Sequence, residues 1–416
     1  MLGADGDLRI DLPVAVVGAV EDEETPDLTR GVTSSTRTGS SQRIGRAEAS
    51  WAGIAGGVSA SSSVVVSMGR LYGAPRSAPN RSAPPRPAMI TLVLPLAAAL
   101  ASAPGTDHAA GPASPAGPDA LRVLVWNIER GANPYTDGAE KALALVRSVR
   151  PDVCLLQESY DIDGERPELG AWMAGELGWN SWQGKSTHLC VLTPLEIEER
   201  YFHAVWHGVG ARLVDAEERA LDVYSIWIDW REYLPYALRD DPTIDDAALL
   251  ACESKGSKRL VQATAILEHL AGTGRMAGDV PLLVGGDWNC PSHLDWTEDT
   301  ARAYRFKRAL ELPVSALARS KGLVATFREV HPDPLRRPGF TWTPMARGTV
   351  DAPEPLDRID RLYRLPTRSG AWELVPVAAE VLPRTHEPAE LPREERAFPS
   401  DHGAVVVDLE WRRRAG

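Results

Sequence analysis

Short apolar runs recur along the chain from about residue 121, and polar residues gather at their ends. The runs at 121–126, 153–156, 189–193, 221–228, 281–285, 358–363 and 403–409 have the length and composition of buried strands. Helical spacing lies between them. Residues 138–149 carry apolar positions at that spacing and stop before Arg150-Pro151. Residues 257–270 place Leu260, Ala263, Leu267 and Leu270 on one stripe, and 300–312 predicts a third helix. Strands interspersed with helices predict an α/β fold. Polar residues at the strand ends predict a site built at the strand termini.

Residues 1–120 read differently. They are rich in Ala, Gly, Ser, Pro and Thr, and Trp51 and Tyr72 are their only aromatic rings apart from a histidine. A segment so poor in large apolar side chains cannot offset the entropy of ordering its backbone. Within it, the apolar run 89–101 is too short for a bilayer span, which needs about 20 residues. It fits the hydrophobic region of a secretory signal, and Ala99-Leu100-Ala101 has the small-x-small form of a cleavage site. The expected division is a disordered leader over 1–88, or a start of translation at Met89; a signal peptide and linker over 89–120; and one folded domain over 121–416. The expected location is secreted or cell-envelope, with cleavage near Ala101. No stable membrane span and a monomer are expected.

Composition then narrows the function. The formal net charge is −12, most of it after Leu121, which argues against a non-specific DNA coat protein. Apolar residues at 44% and charged residues at 25% exclude a wholly disordered or collagen-like chain. The 13 Trp against 5 Phe are unusual, and all but Trp51 follow position 120. The four cysteines (Cys154, Cys190, Cys252 and Cys290) lack C-x-x-C spacing, which argues against a zinc site. Export would permit one or two disulfides of undetermined pairing, and buried free thiols are an equal reading for Cys154.

The strand ends carry the chemistry. The first run stops at Asn127-Ile128-Glu129 and the second at Gln157-Glu158. The fifth passes through Gly285-Gly286 into Asp287-Trp288-Asn289. Asp357-Arg358-Ile359-Asp360 and Ser400-Asp401-His402 follow. A single Asp or Asn after a strand is usually a turn residue. Five clusters in one chain, each with a carboxylate, are not accounted for by turns.

The ordered set N-x-E, Q-E, G-D-W-N, R-I-D and S-D-H resembles the endonuclease/exonuclease/phosphatase superfamily, from Leu121 to about Leu409. The stretches Pro291-Ser-His-Leu-Asp-Trp-Thr297 and Phe340-Thr-Trp-Thr-Pro344 resemble one bacterial branch of it. The resemblance implies a four-layer α/β sandwich of two packed mixed sheets flanked by helices. It implies a phosphate-ester hydrolase, more suited to phosphodiesters than monoesters, using Mg²⁺ or Mn²⁺. Such ions take oxygen ligands and stabilise phosphoryl charge. Glu158 matches the principal metal ligand, and Asn127 the residue beside it that holds metal or phosphate. Asp287 matches the carboxylate that deprotonates the attacking water. Asn289 matches a donor to the phosphoryl oxygens, and His402 the histidine on the scissile phosphate. Asp360 would hold that ring in one tautomer, and Asp401 would add a metal ligand or support the water. His293, Asp295, Asp229, Tyr233, Tyr236, Trp227 and Trp342 are candidate substrate contacts. Loop structure is an equal reading for His293 and Asp295. His188, His203 and His207 match no motif and read as structural or surface residues.

One position departs from the pattern. The family carries N-x-H after a central strand, where this chain has Ser225-Ile226-Trp227. Asp229, Tyr233, Pro235 and Tyr236 keep the bacterial register, so Trp227 falls on the histidine. Indole cannot act as an acid near neutral pH. Three readings stay open. Tyr233, Tyr236 or Arg231 substitutes; the leaving group needs no acid; or the protein is a weakened or inactive relative that serves as an extracellular binding protein. The acidic net charge disfavours long nucleic acids as partners without excluding them, because local patches escape a net sum, and lipid-headgroup or small-molecule phosphodiesters fit as well. Core packing remains the default role for most of the Trp and Tyr residues.

Overall fold

The computed structural model describes residues 117–160, 168–345, 347–349 and 352–414. Within the first strand, β1 (Ala120–Asn127), Val123 and Val125 join one buried cluster while Leu124 and Trp126 join another. A strand buried on both faces belongs to an inner layer. That alternation sets the architecture.

Two six-stranded sheets result. The first has the order β11-β12-β1-β2-β4-β3 and the second β5-β6-β7-β8-β10-β9. The remaining strands are β2 (Val153–Gln157), β3 (Asn180–Trp182), β4 (Leu189–Thr193), β5 (Glu196–His203), β6 (Gly208–Val214) and β7 (Ala220–Trp227). They continue with β8 (Leu282–Asp287), β9 (Val324–Ala325), β10 (Asp360–Leu365), β11 (Trp372–Leu382) and β12 (Ala404–Arg413). β1 runs parallel to β2 and β7 parallel to β8, and the other pairs are antiparallel, so both sheets are mixed. The faces meet through Val123, Val125, Leu155, Val223, Leu283, Leu362 and Val405. Each such burial contributes about 1.5–3 kcal/mol. Gly285 lets the sheets approach: a Cβ there would meet Leu155 Cδ1 at 2.7 Å and Val125 Cγ2 at 2.8 Å.

Helices cover the outer faces. α1 (Gly138–Val149) and α2 (Leu169–Leu177) pack on Leu124 and Trp126 of the first sheet. The other helices are α3 (Leu234–Asp240), α4 (Asp246–Ser254), α5 (Arg259–Gly272), α6 (Glu298–Ala303), α7 (Pro313–Ser320) and α8 (Thr326–Val330), the last placing Phe327 in the cluster between the sheets. α5 and α7 bury Ala263, Leu267, Val314 and Ala318 against Tyr224, Ile226 and Val284 of the second sheet. The product is the expected α/β sandwich of two mixed sheets flanked by helices.

The helix expected over 300–312 is corrected. α6 ends at Ala303, and Tyr304 turns to extended backbone. Phe306 and Lys307 are buried there, with Lys307 paired to the buried Asp357, and Pro313 opens α7. Tertiary burial of a charged pair overrides local helical spacing. The polar-faced strand β5, its partner β6 and the edge strand β11 were not apparent as apolar runs. All four cysteines are free thiols, so the disulfides that export would permit are absent. Among the described residues, no helix is long and apolar enough to cross a membrane. The expected leader and signal, up to residue 116, lie outside the described residues.

Candidate active site

Parallel pairing brings the polar strand ends to one edge. Asn127 at the end of β1 is the register partner of Gln157 at the end of β2. Across the sandwich, Trp227 at the end of β7 is the partner of Asp287 at the end of β8, and Asp287 is the partner of Asp360 at the start of β10. The antiparallel β12 starts just after His402, on the same edge. Gly286 precedes Asp287 at φ +152°, where a Cβ would strike the Ile226 carbonyl oxygen at 2.0 Å. Glu158 and Asn289 both take positive φ, +55° and +48°. Strained backbone of this kind persists where surrounding structure holds it.

Asn127 ties the two sheets together. Its Nδ2 donates to Glu158 Oε1 and to Asp287 Oδ2, each at 3.1 Å. The Glu158 Oε2 atom accepts from the Arg130 backbone N–H at 2.8 Å. Asp287 Oδ1 accepts from the Asn289 N–H at 2.8 Å. The Asn289 amide donates to the Ile228 carbonyl at 2.8 Å, and its second N–H is available to a ligand. His402 Nδ1 lies 3.0 Å from Asp360 Oδ2. Its Nε2 lies 4.0 Å from Asp287 Oδ2 and 3.9 Å from Asp401 Oδ1. Trp342 packs on the same ring with centroids 4.9 Å apart.

Burial and charge set the protonation states. Burial pushes the Asp287 carboxyl up, the charge of Asp360 adds to it, and the result is about 7. Burial also raises Glu158, against the charge of His402. For His402, burial lowers the pKa, but Asp360 and Asp287 outweigh it and push it up to about 10. The ring is therefore an imidazolium held among carboxylates, with Nδ1–H directed to Asp360. Negative groups still exceed positive ones at this edge. Asp360 Oδ1 is buried and has no hydrogen-bond partner. The imidazolium offers no lone pair, so the cation ligands here are the oxygens of Asp287 and Asp360, which lie within 4.8 Å of each other and of a His402 ring nitrogen. An oxygen-rich, charge-excess set with an unsatisfied buried oxygen fits a hard divalent cation, with Glu158 and Asn127 alongside.

Other expected residues lie elsewhere in the network. Asp401 contributes its Oδ1 to the cluster, while its Oδ2 accepts from Arg347 at 2.6 Å, with Arg393 at 3.7 Å. Trp342 Nε1 and Tyr236 Oη donate to the same Glu354 Oε1, at 2.7 Å and 2.6 Å. Tyr233 stacks edge-on against Tyr236 and reaches Asp357 Oδ2 at 3.4 Å. These rings form a rim beside His402. Asp229 is clamped by Arg231 and the Lys258 N–H, and Arg231 holds its carboxyl low despite burial. Asp295 pairs with both Arg328 and Arg358, and His293 bonds Ser315 at the start of α7 through its N–H and Nδ1. These three anchor loops. The structure does not bring Asp229, Asp295 or His293 into contact with the carboxylate cluster.

Several participants were missed. Glu129 accepts the Asp401 N–H at 3.0 Å and pairs with Arg393. Arg347 pairs with Asp401, Arg393 with Glu129 and Glu354 with Tyr236, each far away in sequence. His188, read as structural or surface, is 3% exposed and packs edge-on to Trp227. His207, also unassigned, donates from Nδ1 to the Trp227 carbonyl at 3.1 Å.

The sequence profile described as the Endonuclease/Exonuclease/phosphatase family matches residues 124–402. An uncharacterized protein of Caenorhabditis elegans is 26% identical over 297 residues, covering 69% of this chain and 90% of that one. Truncated Caenorhabditis elegans TDP2 gives a TM-score of 0.44 at 15% identity, covering 70% of this chain and 97% of that chain. An AP endonuclease from Archaeoglobus fulgidus gives 0.45 at 15% identity, covering 69% and 98%.

Proposed function

Since the chain belongs to the endonuclease/exonuclease/phosphatase family, we propose that it is a divalent-metal-dependent phosphoesterase acting on phosphodiesters. The observation that carries this reading is the Asn127 amide bridging Glu158 and Asp287 beside the His402–Asp360 pair. A Mg²⁺ or Mn²⁺ ion held by Glu158 and its neighbours supplies Lewis-acid stabilisation of phosphoryl oxygens. The chain's own groups do the rest. Asp287, fixed by the Asn127 and Asn289 donors, accepts the proton of the attacking water. His402 offers its Nε2–H to a phosphoryl oxygen while Asp360 fixes its orientation. Asn289 adds a neutral donor where charge builds.

The substrate is a phosphodiester of a lipid headgroup or small molecule rather than a long nucleic acid, because a net charge of −12 repels a polyanion. Secretion, with cleavage near Ala101, completes the proposal. N-terminal sequencing of the native protein tests it: a mature start just after Ala101 supports export, and an intact Met1 rejects it. The activity is tested with a panel of DNA, RNA, sphingomyelin and phosphoinositides in the presence of Mg²⁺ or Mn²⁺. Turnover of a lipid or small diester with little on DNA and RNA is expected. Preferred hydrolysis of long DNA would overturn the substrate assignment.

A further inference from the structure

A cavity of about 650 Å³ lies beside the edge strand β11. Its volume falls within the roughly 300–1,000 Å³ of small-molecule sites. Phe327, Ala378, Ala379, Val381 and Val406 give it an apolar lining. The segment 331–339 forms one wall, and that wall is fixed. The buried Arg328 guanidinium donates to the carbonyls of His331, Arg337 and Pro338 at 3.0, 2.6 and 2.7 Å, and its Nε donates to Asp295 at 2.6 Å. Gly339, at φ +66°, closes the wall on the Phe327 ring, where a Cβ would meet Cζ at 2.5 Å. The charges around the cavity are unbalanced. Of the carboxylates on its lining, Asp408 pairs with Arg122 at 2.6 Å and Glu380 with Arg384 at 2.7 Å. Asp333, the one acid of the wall, is turned to the backbone N–H groups of Leu335 and Arg336 at 2.8 and 3.2 Å. Arg336 and Arg337 also line the cavity and are exposed, and their guanidinium groups have no ion-pair or hydrogen-bond partner among the described residues. Apolar surface is left open here too. Residues 375–381 of β11 are all unburied, with Val377 40% exposed, and Leu335 beside Arg336 is 39% exposed. Sheet edges normally avoid an uncovered apolar run.

We propose that this cavity is a second binding site, and that it takes an anionic amphiphile with one apolar chain and an oxyanion head. The chain covers the Phe327, Ala379 and Val381 lining and is removed from water in doing so. The head meets the guanidinium groups of Arg336 and Arg337, which bind oxyanions through charge-assisted, bidentate hydrogen bonds. A peptide strand added to β11 fits less well. Pro376 has no N–H to donate, and the ladder with β12 shifts register between Pro376 and Ala378. The His331 Nε2–H already occupies the Ala379 carbonyl at 2.7 Å. A small inorganic anion would leave the apolar lining uncovered, and a cationic head would face two unpaired arginines. The site is independent of the phosphoesterase reading, because none of Asn127, Glu158, Asp287, Asp360 and His402 lines this cavity.

The test is calorimetric titration of the full chain, in buffer without divalent ions, with octanoate, decanoate and laurate beside dodecyltrimethylammonium, all below micelle-forming concentrations. One laurate per chain is expected to bind, roughly tenfold or more tightly than the cationic amphiphile, as the charge of the head contributes. Affinity is expected to rise by up to about fourfold per added methylene. The double variant Arg336→Gln with Arg337→Gln is expected to remove the preference for the anion and leave Tm unchanged, because both side chains are exposed and unpartnered. Ala379→Phe is expected to abolish binding by filling the cavity; should that variant fail to fold, the arginine variant still decides. Equal binding of the two heads, affinity indifferent to chain length, or a preference that survives the arginine variant would overturn the inference. Tighter binding of the acidic peptide acetyl-Glu-Val-Glu-Val-Glu-amide than of laurate would also overturn it. So would a dimer in sedimentation that the arginine variant dissolves, since a second copy would then be the occupant.

Discussion

At the scale of single residues, the account rests on His402 being a cation. Asp360 accepts its Nδ1–H, and the pair of aspartates holds the ring's pKa near 10 against the cost of burial. Asp360→Asn removes the charge that does most of this. The expected loss in kcat is on the order of 10²–10⁴-fold with little change in KM, read from steady-state kinetics. NMR titration of the His402 ring in the same variant should give a lower pKa. Trp227→His provides a second kinetic check. A large gain in rate on an alkyl phosphodiester would mark a weakened enzyme, and no gain would mean another group already serves. The residues legible in the sequence were those that end apolar runs: Asn127, Glu158, Asp287, Asp360 and His402. Their positions follow from strand termination, and strand termination follows from patterning. Glu354, Arg347 and Arg393 were illegible for the opposite reason. They lie outside the strands, and partners such as Tyr236, Glu129 and Asp401 become their neighbours only through the fold.

Elements show the same division. β1, β2, β7 and β8 were legible because both faces are buried, which makes continuous apolar runs. β5 presents Glu196, Glu198, Glu199 and Arg200 to solvent, so its pattern reads as polar. Two predictions belong at this scale. Gly285→Ala should force Leu155 and Val125 apart and destabilise the fold by about 1–3 kcal/mol, measured by denaturant unfolding. Glu253 on α4 is fully buried, accepts the Val314 N–H of α7 at 3.1 Å, and is pushed up by burial to about 7. Between its unfolded value near 4.5 and the folded value near 7, the folded chain holds the extra proton. Stability from this group is therefore complete below about pH 4.5 and declines as pH rises to about 7, by at most about 3 kcal/mol. Glu253→Gln should flatten that part of the Tm–pH profile. An unchanged slope would place the titration elsewhere.

Over the whole molecule, the negative charge has two meanings. Part of it is the carboxylate cluster that fits a cation. The remainder lies outside that cluster, and on the proposed function this net-negative balance is expected to favour short diesters over long nucleic acids. Activity on a small diester should accordingly change little between 50 and 200 mM salt, whereas groove binding to DNA loses about 10³–10⁵ in affinity over that range. A steep salt dependence would point to an extended polyanionic substrate. The central claim is that the strand ends around Glu158 and Asp287 hydrolyse phosphodiesters with a bound divalent ion. Its most direct test is release of p-nitrophenolate from bis-p-nitrophenyl phosphate in Mg²⁺ or Mn²⁺, with and without chelator, by the native chain and by Glu158→Ala. The account predicts turnover that disappears with chelator and falls by more than about a hundredfold in Glu158→Ala. Undiminished turnover in that variant, or metal-dependent thermal stabilisation of the native chain with no turnover, would contradict it.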